Sequence, residues 1–212
     1  MLLSAKNIGK SYGPEVVLKG VSVEIDQGES LAITGPSGVG KSTLLSVLSL
    51  LLRPSEGEIL MNGMYAGTWS ESEQAHWRNR QVGLVFQSLN LIGSLTVLDN
   101  VLVPAYVARD HTMKKRALEL LDEMELSHRL DYYPHELSLG QKRRVAIARA
   151  LLLSPSLIFA DEPTNDLDPK LAAWVGDYLL GLPEKGCALV LVTHDVQLAA
   201  RTDHELNLAK AE

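Results

Sequence analysis

The sequence contains almost no cysteine, since Cys187 is the only one among its 212 residues. A disulfide framework within the chain is therefore impossible, which fits a reducing compartment. Cys187 begins an apolar run, CALVLV, where a cysteine usually behaves as a small hydrophobic side chain. We therefore predict a buried thiol with a packing role.

Hydrophobic runs long enough to cross a bilayer are also missing. A membrane-spanning helix needs about 20 consecutive apolar residues, and the longest runs here, such as LLSVLSLLL at 44–52, are far shorter. The N-terminal stretch MLLSAKNIGK has neither the apolar core nor the cleavage site of a signal peptide. We expect a soluble protein that contacts a membrane only through a partner.

The sequence also lacks an excess of positive charge. The chain has 20 Lys and Arg against 26 Asp and Glu, for a net charge of −6. Bulk attraction to nucleic acid is therefore not indicated, and we expect no nucleic-acid partner. Hydrophobic residues at 46% and charged residues at 22% are ordinary for a globular protein.

Segments typical of strands alternate with segments typical of helices along most of the chain. Strands are predicted at 2–8, 16–25, 56–63 and 204–209, and the second has the alternation of a half-buried antiparallel strand. Continuous apolar runs predict buried strands at 31–35, 82–87, 157–161 and 187–194. Helices are predicted at 41–52, where Pro54 stops the helix, at 70–80, at 169–181 and within 195–203. The pattern indicates an α/β fold with a mostly parallel sheet covered on both faces and an antiparallel β subdomain.

The middle of the chain differs because it contains helical spacing without strands. Helices are predicted at 96–108, 112–125 and 140–153, with breaks at Pro104, at Asp110 and in the loop DYYPHE. We expect an all-helical subdomain, approximately 88–153, inserted into a single domain that covers residues 1–212.

A phosphate-binding motif occupies residues 35–42. GPSGVGKS fits G-x-x-x-x-G-K-[ST] and lies between a predicted strand and a predicted helix, as this motif requires. The glycines allow successive N–H groups to face phosphates, and the positive end of the helix faces the same anion. Lys41 can reach the β- and γ-phosphates, while the Ser42 hydroxyl can bind Mg²⁺. The predicted nucleotide-binding residues are Gly35, Pro36, Ser37, Gly38, Val39, Gly40, Lys41, Ser42 and Thr43.

Polar side chains at the ends of other buried strands are candidates to complete this site. Asp161 can hold Mg²⁺, and Glu162 can orient or deprotonate the attacking water. His194 can reach the γ-phosphate and the water, and Gln87 can contact Mg²⁺ and the water. Open α/β sheets bind ligands at the carboxyl ends of their strands, which favours this reading over strands that simply end in solvated charges.

A second stretch with anion-binding features, ELSLGQKRR, occupies residues 136–144. Ser138 is a good N-cap, and the helix that follows presents free N–H groups and a positive dipole end. Gly140 and Gln141 belong to the same helix start. We interpret Arg143 and Arg144 as solvated or paired with acids, and do not assign them to phosphate.

The ordered set of motifs resembles the nucleotide-binding subunit of ATP-binding cassette (ABC) transporters over nearly the whole chain. The set comprises Tyr12, GPSGVGKS, Gln87, LSLGQ, LIFADE, NDLD at 165–168 and His194. The resemblance implies a P-loop ATPase with ATP and Mg²⁺ as cofactors. It also implies a homodimer, or a paired cassette, with two ATP molecules at its interface.

The resemblance assigns a role to each remaining motif. Ser138, Gly140 and Gln141 would bind the γ-phosphate held by the partner's P-loop, and Asp168 would link the two sites. Tyr12 would stack on adenine, although by itself it is only a tyrosine in a predicted turn.

An integral membrane permease is the other implied partner. It would place the chain in the cytoplasm, on the inner face of the cell membrane. The surface of residues 88–104 would be the docking site, unless its apolar residues belong to the core.

Two stretches are similar to the branch that contains lipoprotein-releasing, macrolide-exporting and cell-division cassettes. They are residues 77–104 and HELSLGQKRRVAIARALL at 135–152. The same cycle serves signalling rather than transport in cell-division relatives, and the cassette residues do not separate these roles. A DNA-repair or ribosome-associated cassette is disfavoured because coiled-coil insertions, zinc sites and tandem cassettes are missing from the sequence.

One residue departs from the pattern of the family. Leu139 occupies a position where the signature usually has glycine, which would leave the backbone bare against the phosphate. A leucine at the first helical position can turn outward, so that Ser138 and Gly140 still bind. Alternatively, its bulk loosens the closed dimer.

Overall fold

The computed structural model describes residues 1–208. Its strands, in chain order, are β1 (Leu3–Tyr12), β2 (Glu15–Ile25), β3 (Ser30–Thr34), β4 (Glu56–Met61), β5 (Met64–Tyr65), β6 (Val82–Val85), β7 (Leu157–Asp161), β8 (Ala188–Val192) and β9 (His204–Asn207). Its α-helices are α1 (Lys41–Leu48), α2 (Glu71–Gln81), α3 (Val97–Ala108), α4 (Lys114–Glu123), α5 (Leu139–Leu151), α6 (Pro169–Leu180) and α7 (Val196–Ala199).

The strands form two sheets. One is antiparallel, with the order β2-β1-β4-β5, and the other is parallel, with the order β6-β7-β8-β3-β9. This arrangement confirms the predicted α/β class with a separate antiparallel β part. Strand β7, which contains LIFAD, lies between β6 and β8 and is therefore not an edge strand.

The parallel sheet is covered on both faces. Every residue of β7 and of β8 is buried, and alternate side chains of a strand point to opposite faces. Leu157 and Phe159 join the core cluster that includes the antiparallel sheet and α1. Ile158 and Ala160 join a second cluster with α3, α4 and α5. Burial on both faces explains why these strands are continuous apolar runs.

The register of the sheet brings three strand ends to one edge. Ile33 pairs with Val192, and Asp161 pairs with the same Val192 on the other side. Because the strands are parallel, the loops that follow them leave the sheet at the same edge. The loop after β3, Glu162 after β7 and His194 after β8 are thereby placed next to one another.

Two helix predictions are wrong in detail. Helix α1 ends at Leu48, not at residue 52, because Ser49 caps it and Leu50 turns back with a φ of 60°. Leu50 is nevertheless buried, so the apolar run continues into the core without remaining helical. Pro104 does not break α3 but lies within it. The surrounding Val101, Leu102 and Ala105 are all buried in the second cluster, and this packing maintains the helix.

Strand ends also differ by a few residues. Strand β6 ends at Val85 and β8 at Val192, each two residues before the predicted end. Gln87 and His194 therefore belong to loops rather than to strands. The predicted last strand, 204–209, is observed as β9, and its final residue lies outside the described residues.

Candidate nucleotide-binding site

The phosphate-binding loop connects β3 to α1, and its glycines are required by geometry. Gly35 has a φ of 136°, and a Cβ there would lie 2.4 Å from the carbonyl oxygen of Leu208. Gly40 is the N-cap residue of α1, with a left-handed φ of 100°. Side chains at these positions would clash or strain the backbone. The loop can thus direct its N–H groups toward an anion at the start of α1.

Lys41 bridges the two sides of this loop. Its ammonium donates hydrogen bonds to the carbonyl oxygens of Gly35, at 2.9 Å, and of Pro36, at 3.0 Å. These bonds hold the cation at the loop, where it can transfer to phosphate oxygens. A lysine ammonium has three donors, so it can exchange partners without leaving the site.

A cavity of about 470 Å³ lies in front of the loop. Nine of the predicted site residues line it, namely Ser37, Gly38, Gly40, Lys41, Ser42, Thr43, Gln87, Glu162 and His194. Val17, Asn165 and Val192 line it as well and were not predicted as site residues. Asn165 could have been found from the quoted NDLD motif, whereas nothing in the sequence marks Val17.

Glu162 and His194 are in direct contact in this cavity. Nδ1 of His194 lies 2.8 Å from Oε2 of Glu162, and the Glu162 side chain is only 14% exposed. Glu162 has a φ of 46°, a left-handed conformation that is uncommon for a glutamate, and its N–H donates to the carbonyl oxygen of Val192. Such local strain is often found at functional sites. The imidazole can therefore orient the carboxylate toward the cavity.

Asp161 lies behind the phosphate-binding loop and is 9% exposed. Burial raises the pKa of its carboxyl group, while a hydrogen bond from Ser42 lowers it. Its Oδ1 atom is buried, and no hydrogen-bond partner for it lies among residues 1–208. A buried carboxylate oxygen without a partner is costly, and it fits a cation held near Ser42.

The donor set suits Mg²⁺ shared with a nucleotide. Within residues 1–208, no group of three or more His, Cys, Asp or Glu side chains could hold a metal ion. Mg²⁺ commonly takes one or two protein oxygens and completes its shell with phosphates and water. Ser42 and Gln87 line the cavity and offer oxygen atoms of this kind, whereas Asp161 does not line it and reaches it through its contact with Ser42.

The helix start at Ser138 does not line this cavity. The Ser138 hydroxyl accepts from the Gln141 N–H at 3.3 Å, and Oε1 of Gln141 accepts from the Ser138 N–H at 3.0 Å, which forms a capping box. Gly140 is buried, and a Cβ there would lie 2.2 Å from Cδ2 of Leu171. Leu139 is helical and 44% exposed, so its side chain turns outward. This is the first of the two alternatives given for this residue from the sequence.

The two arginines on α5 have different environments. Arg144 pairs with Glu125 at 3.0 Å, which agrees with its interpretation as a residue paired with an acid. Arg143 is 2% exposed and therefore not solvated, and no acidic side chain within residues 1–208 lies at salt-bridge distance from it. It donates instead to the carbonyl oxygens of Phe86 and Asn165. The interpretation of Arg143 as a solvated or acid-paired residue is therefore wrong. The sequence could not reveal this because both acceptors are distant main-chain atoms.

Tyr12 lies at the end of β1 and is 50% exposed. The ammonium of Lys10 lies 5.3 Å from the centre of its ring. Tyr12 does not line the cavity, so its contact with adenine stays a prediction.

The fold and this site define a class of protein, the P-loop nucleotide-binding cassettes. A family model described as ABC transporter matches residues 18–165, and the chain belongs to that family. The predicted family and fold class are thus confirmed.

The chain is similar to other proteins over nearly its whole length. An uncharacterised ABC transporter ATP-binding protein, MJ1508 of Methanocaldococcus jannaschii, is 43% identical over 217 residues, covering 100% of this chain and 97% of the relative. The lipoprotein-releasing system ATP-binding protein LolD 1 of Rhodopirellula baltica is 42% identical over 98% of this chain and 93% of its own. LolD of Bacteroides fragilis is 40% identical over 98% of this chain and 97% of its own.

Solved structures agree with the sequence relatives. The dimeric structure of a post-hydrolysis state of the ATP-binding cassette MJ0796, bound to ADP and Pi, matches with a TM-score of 0.90 and 39% identity. The match covers 97% of this chain and 94% of that one. A second dimeric structure of MJ0796, described as a bacterial ABC transporter cassette, has a TM-score of 0.90 and 38% identity, covering 99% and 96% of the two chains.

Proposed function

We propose that this chain binds and hydrolyses ATP as the cassette subunit of a transporter, and that it powers a separate membrane permease through ATP-driven dimerisation. The observation that supports this most is the contact between Glu162 and His194 in the cavity that Lys41 also lines. A cation for phosphate, a carboxylate for water and a histidine that orients it are thereby assembled in one place.

Binding of the triphosphate is the task of the loop after β3. Its N–H groups and the N-terminus of α1 receive the phosphates, and Lys41 exchanges its carbonyl partners for β- and γ-phosphate oxygens. Ser42, Asp161 and Gln87 would hold Mg²⁺, which neutralises phosphate charge when bound. Asp161 gains a partner for its buried oxygen in this complex.

Hydrolysis is assigned to Glu162 and His194, which also line the cavity. Glu162 orients or deprotonates the attacking water. His194 holds the carboxylate through its Nδ1 and presents the rest of its exposed ring toward the γ-phosphate and the water. Gln87 contributes a neutral side chain that can contact the same water.

Dimerisation follows from the position of the second anion site. Ser138, Gly140 and Gln141 lie at the N-terminus of α5, outside the cavity that their own chain forms. They would bind the γ-phosphate held by a second copy or a paired cassette, which makes nucleotide binding and dimerisation one event. The dimeric MJ0796 structures, one of them bound to ADP and Pi, support this arrangement.

The permease would dock at a groove beside the loop that carries Gln87. A cavity of about 440 Å³ lies between α2, α3 and α5, and Ile92, Val107 and Leu153 are among its lining residues. Ile92 and Val107 are 43% and 66% exposed, whereas Leu89 and Val97 belong to the core. The predicted docking surface, 88–104, is therefore partly core, and the groove is the part accessible to a partner.

The lipoprotein-releasing names of several relatives support a membrane partner. Within residues 1–208, no helix has the length and hydropathy of a membrane span. Contact with the membrane would therefore pass through the permease, at the cytoplasmic face of the cell membrane.

Nucleotide binding and ATPase assays on the full chain test the proposal. Lys41→Met should lower the affinity for ATP at least tenfold, because a charge-assisted phosphate contact is lost. Lys185→Met, an exposed lysine outside the cavity, is the matched control and should bind ATP normally. Equal affinities for the two variants would contradict the assignment. The membrane protein that co-purifies with the chain distinguishes transport from signalling.

A further inference from the structure

Arg143 is a buried cation that the proposed function leaves without a task. It is 2% exposed, and burial lowers the pKa of its guanidinium, an effect that the charge of Asp166 opposes. Its Nε atom is buried and has no hydrogen-bond partner in the part of the chain that the structure describes. Burying a guanidinium is costly unless it is paired and hydrogen-bonded, so this residue depends on the contacts that its Nη atoms make.

The two acceptors of Arg143 belong to different loops. Its Nη1 donates to the carbonyl oxygen of Phe86 at 3.1 Å, and its Nη2 donates to that of Asn165 at 3.4 Å. Phe86 immediately precedes Gln87, and Asn165 follows Glu162 by three residues. Gln87, Glu162 and Asn165 all line the nucleotide cavity. One guanidinium thus joins the backbones of two loops that carry groups for hydrolysis.

The third element in this junction is α5 itself. Ser138, the N-cap of α5, is five residues before Arg143, which corresponds to about 7.5 Å along a helix. The proposed contact with the partner's nucleotide and the junction of the two loops therefore lie on one short, rigid segment. A shift of the helix start would move the guanidinium, and with it both loop backbones.

We propose that Arg143 is a positioning residue, which sets the loop of Gln87 and the loop of Glu162 relative to the helix that receives the partner's ATP. This inference rests on the proposed function. The planar guanidinium suits the role because it offers donors in a fixed fork to two acceptors. A lysine retains charge and reach but has no fork, and a methionine retains only volume.

The test compares the full-length chain with Arg143→Met and Arg143→Lys at concentrations that cover dimerisation. The methionine variant should lower kcat for ATP at least tenfold while KM changes less than threefold, because the groups that bind phosphate are untouched. The lysine variant should fall between the methionine variant and the wild type. Arg144→Met is the matched control. Arg144 donates to the Met124 carbonyl oxygen and to Glu125, away from the cavity, so kcat should stay within twofold.

Hydrogen–deuterium exchange provides the second readout. Segments 84–90 and 162–167 should exchange faster together in the lysine variant, while 114–123 is unchanged. A folded methionine variant with wild-type kcat would overturn the proposal, as would a loss confined to KM. If the methionine variant does not fold, a lysine variant with unchanged kcat and exchange overturns it. Absence of hydrolysis by the wild type would instead contradict the proposed function itself.

Discussion

Nδ1 of His194 lies 2.8 Å from Oε2 of Glu162, although 32 residues separate them in the sequence. The contact exists because β7 and β8 are neighbours, with Asp161 paired to Val192, so that the residues following each strand meet at one edge. At this distance the imidazole and the carboxyl group can share a hydrogen bond, which fixes the position of each side chain relative to the other. The exposed ring is then oriented toward the nucleotide cavity.

Replacing His194 tests this orienting contact. His194→Ala should lower kcat for ATP about tenfold to a hundredfold, because a misplaced reacting group can cost about that much. The affinity for ATP should change little, since Lys41 and the phosphate-binding loop remain. Steady-state kinetics together with equilibrium ATP binding would show this separation. A loss of binding with unchanged kcat would contradict the role given to the histidine.

Leu139 at the start of α5 is predicted to be compatible with activity. Its side chain is 44% exposed and its backbone is helical, so leucine fits the first helical position with its side chain turned outward. Leu139→Gly should change ATPase activity of the assembled complex less than about threefold. The variant should also be slightly less stable, by about 0.5–1 kcal/mol, as glycine is in a helix. A large gain in ATPase activity would show that leucine impairs the dimer contact.

Asn100 is predicted to organise the loop beside the proposed docking groove. It is fully buried, its Oδ1 accepts from the Ile92 N–H, and its Nδ2 donates to the carbonyl oxygens of Ile92, Leu95 and Thr96. Asn100→Asp removes the donor and should lower the free energy of unfolding by about 1–3 kcal/mol.

The matched control for this change is Asn79→Asp, since Nδ2 of Asn79 donates one hydrogen bond among the described residues, to the Pro104 carbonyl oxygen. Denaturant unfolding should show a smaller loss for the control, and ATP affinity should be retained in both variants. Equal losses in the two variants would argue against a special role for Asn100.

Cys187 is predicted to be an unreactive thiol. Burial raises its pKa to about 11, and the thiolate is the reactive form. A thiol reagent at pH 8 should modify it quickly in guanidinium chloride and slowly in the native protein. Because the unfolded thiol loses its proton first, the free energy of unfolding should fall as pH rises between about 9 and 11. Cys187→Ala should reduce this fall, and rapid modification of the native protein would contradict the burial.

The sequence was sufficient where local chemistry decides the structure. GPSGVGKS between a strand and a helix, and polar residues after buried strands, predicted nine of the residues that line the cavity. Local chemistry did not predict three other features, namely the residue at which α1 ends, the position of Pro104 inside a helix and the burial of Arg143. Each depends on contacts with distant segments, as with Arg143 and the Phe86 carbonyl oxygen, 57 residues away. Asn165 falls between these cases, because its motif was recognised but its contact with the cavity was not.

The most direct test of the central claim is the oligomeric state and turnover of Glu162→Gln, with Glu184→Gln, an exposed glutamate, as the control. Without the carboxylate that handles water, hydrolysis should fall about 10²–10⁴-fold, and light scattering should show a stable dimer only when ATP is present. The control should hydrolyse ATP at the wild-type rate, and adding ATP should not convert it into a stable dimer. Wild-type hydrolysis by Glu162→Gln, or a variant that stays monomeric with saturating ATP, would contradict the account.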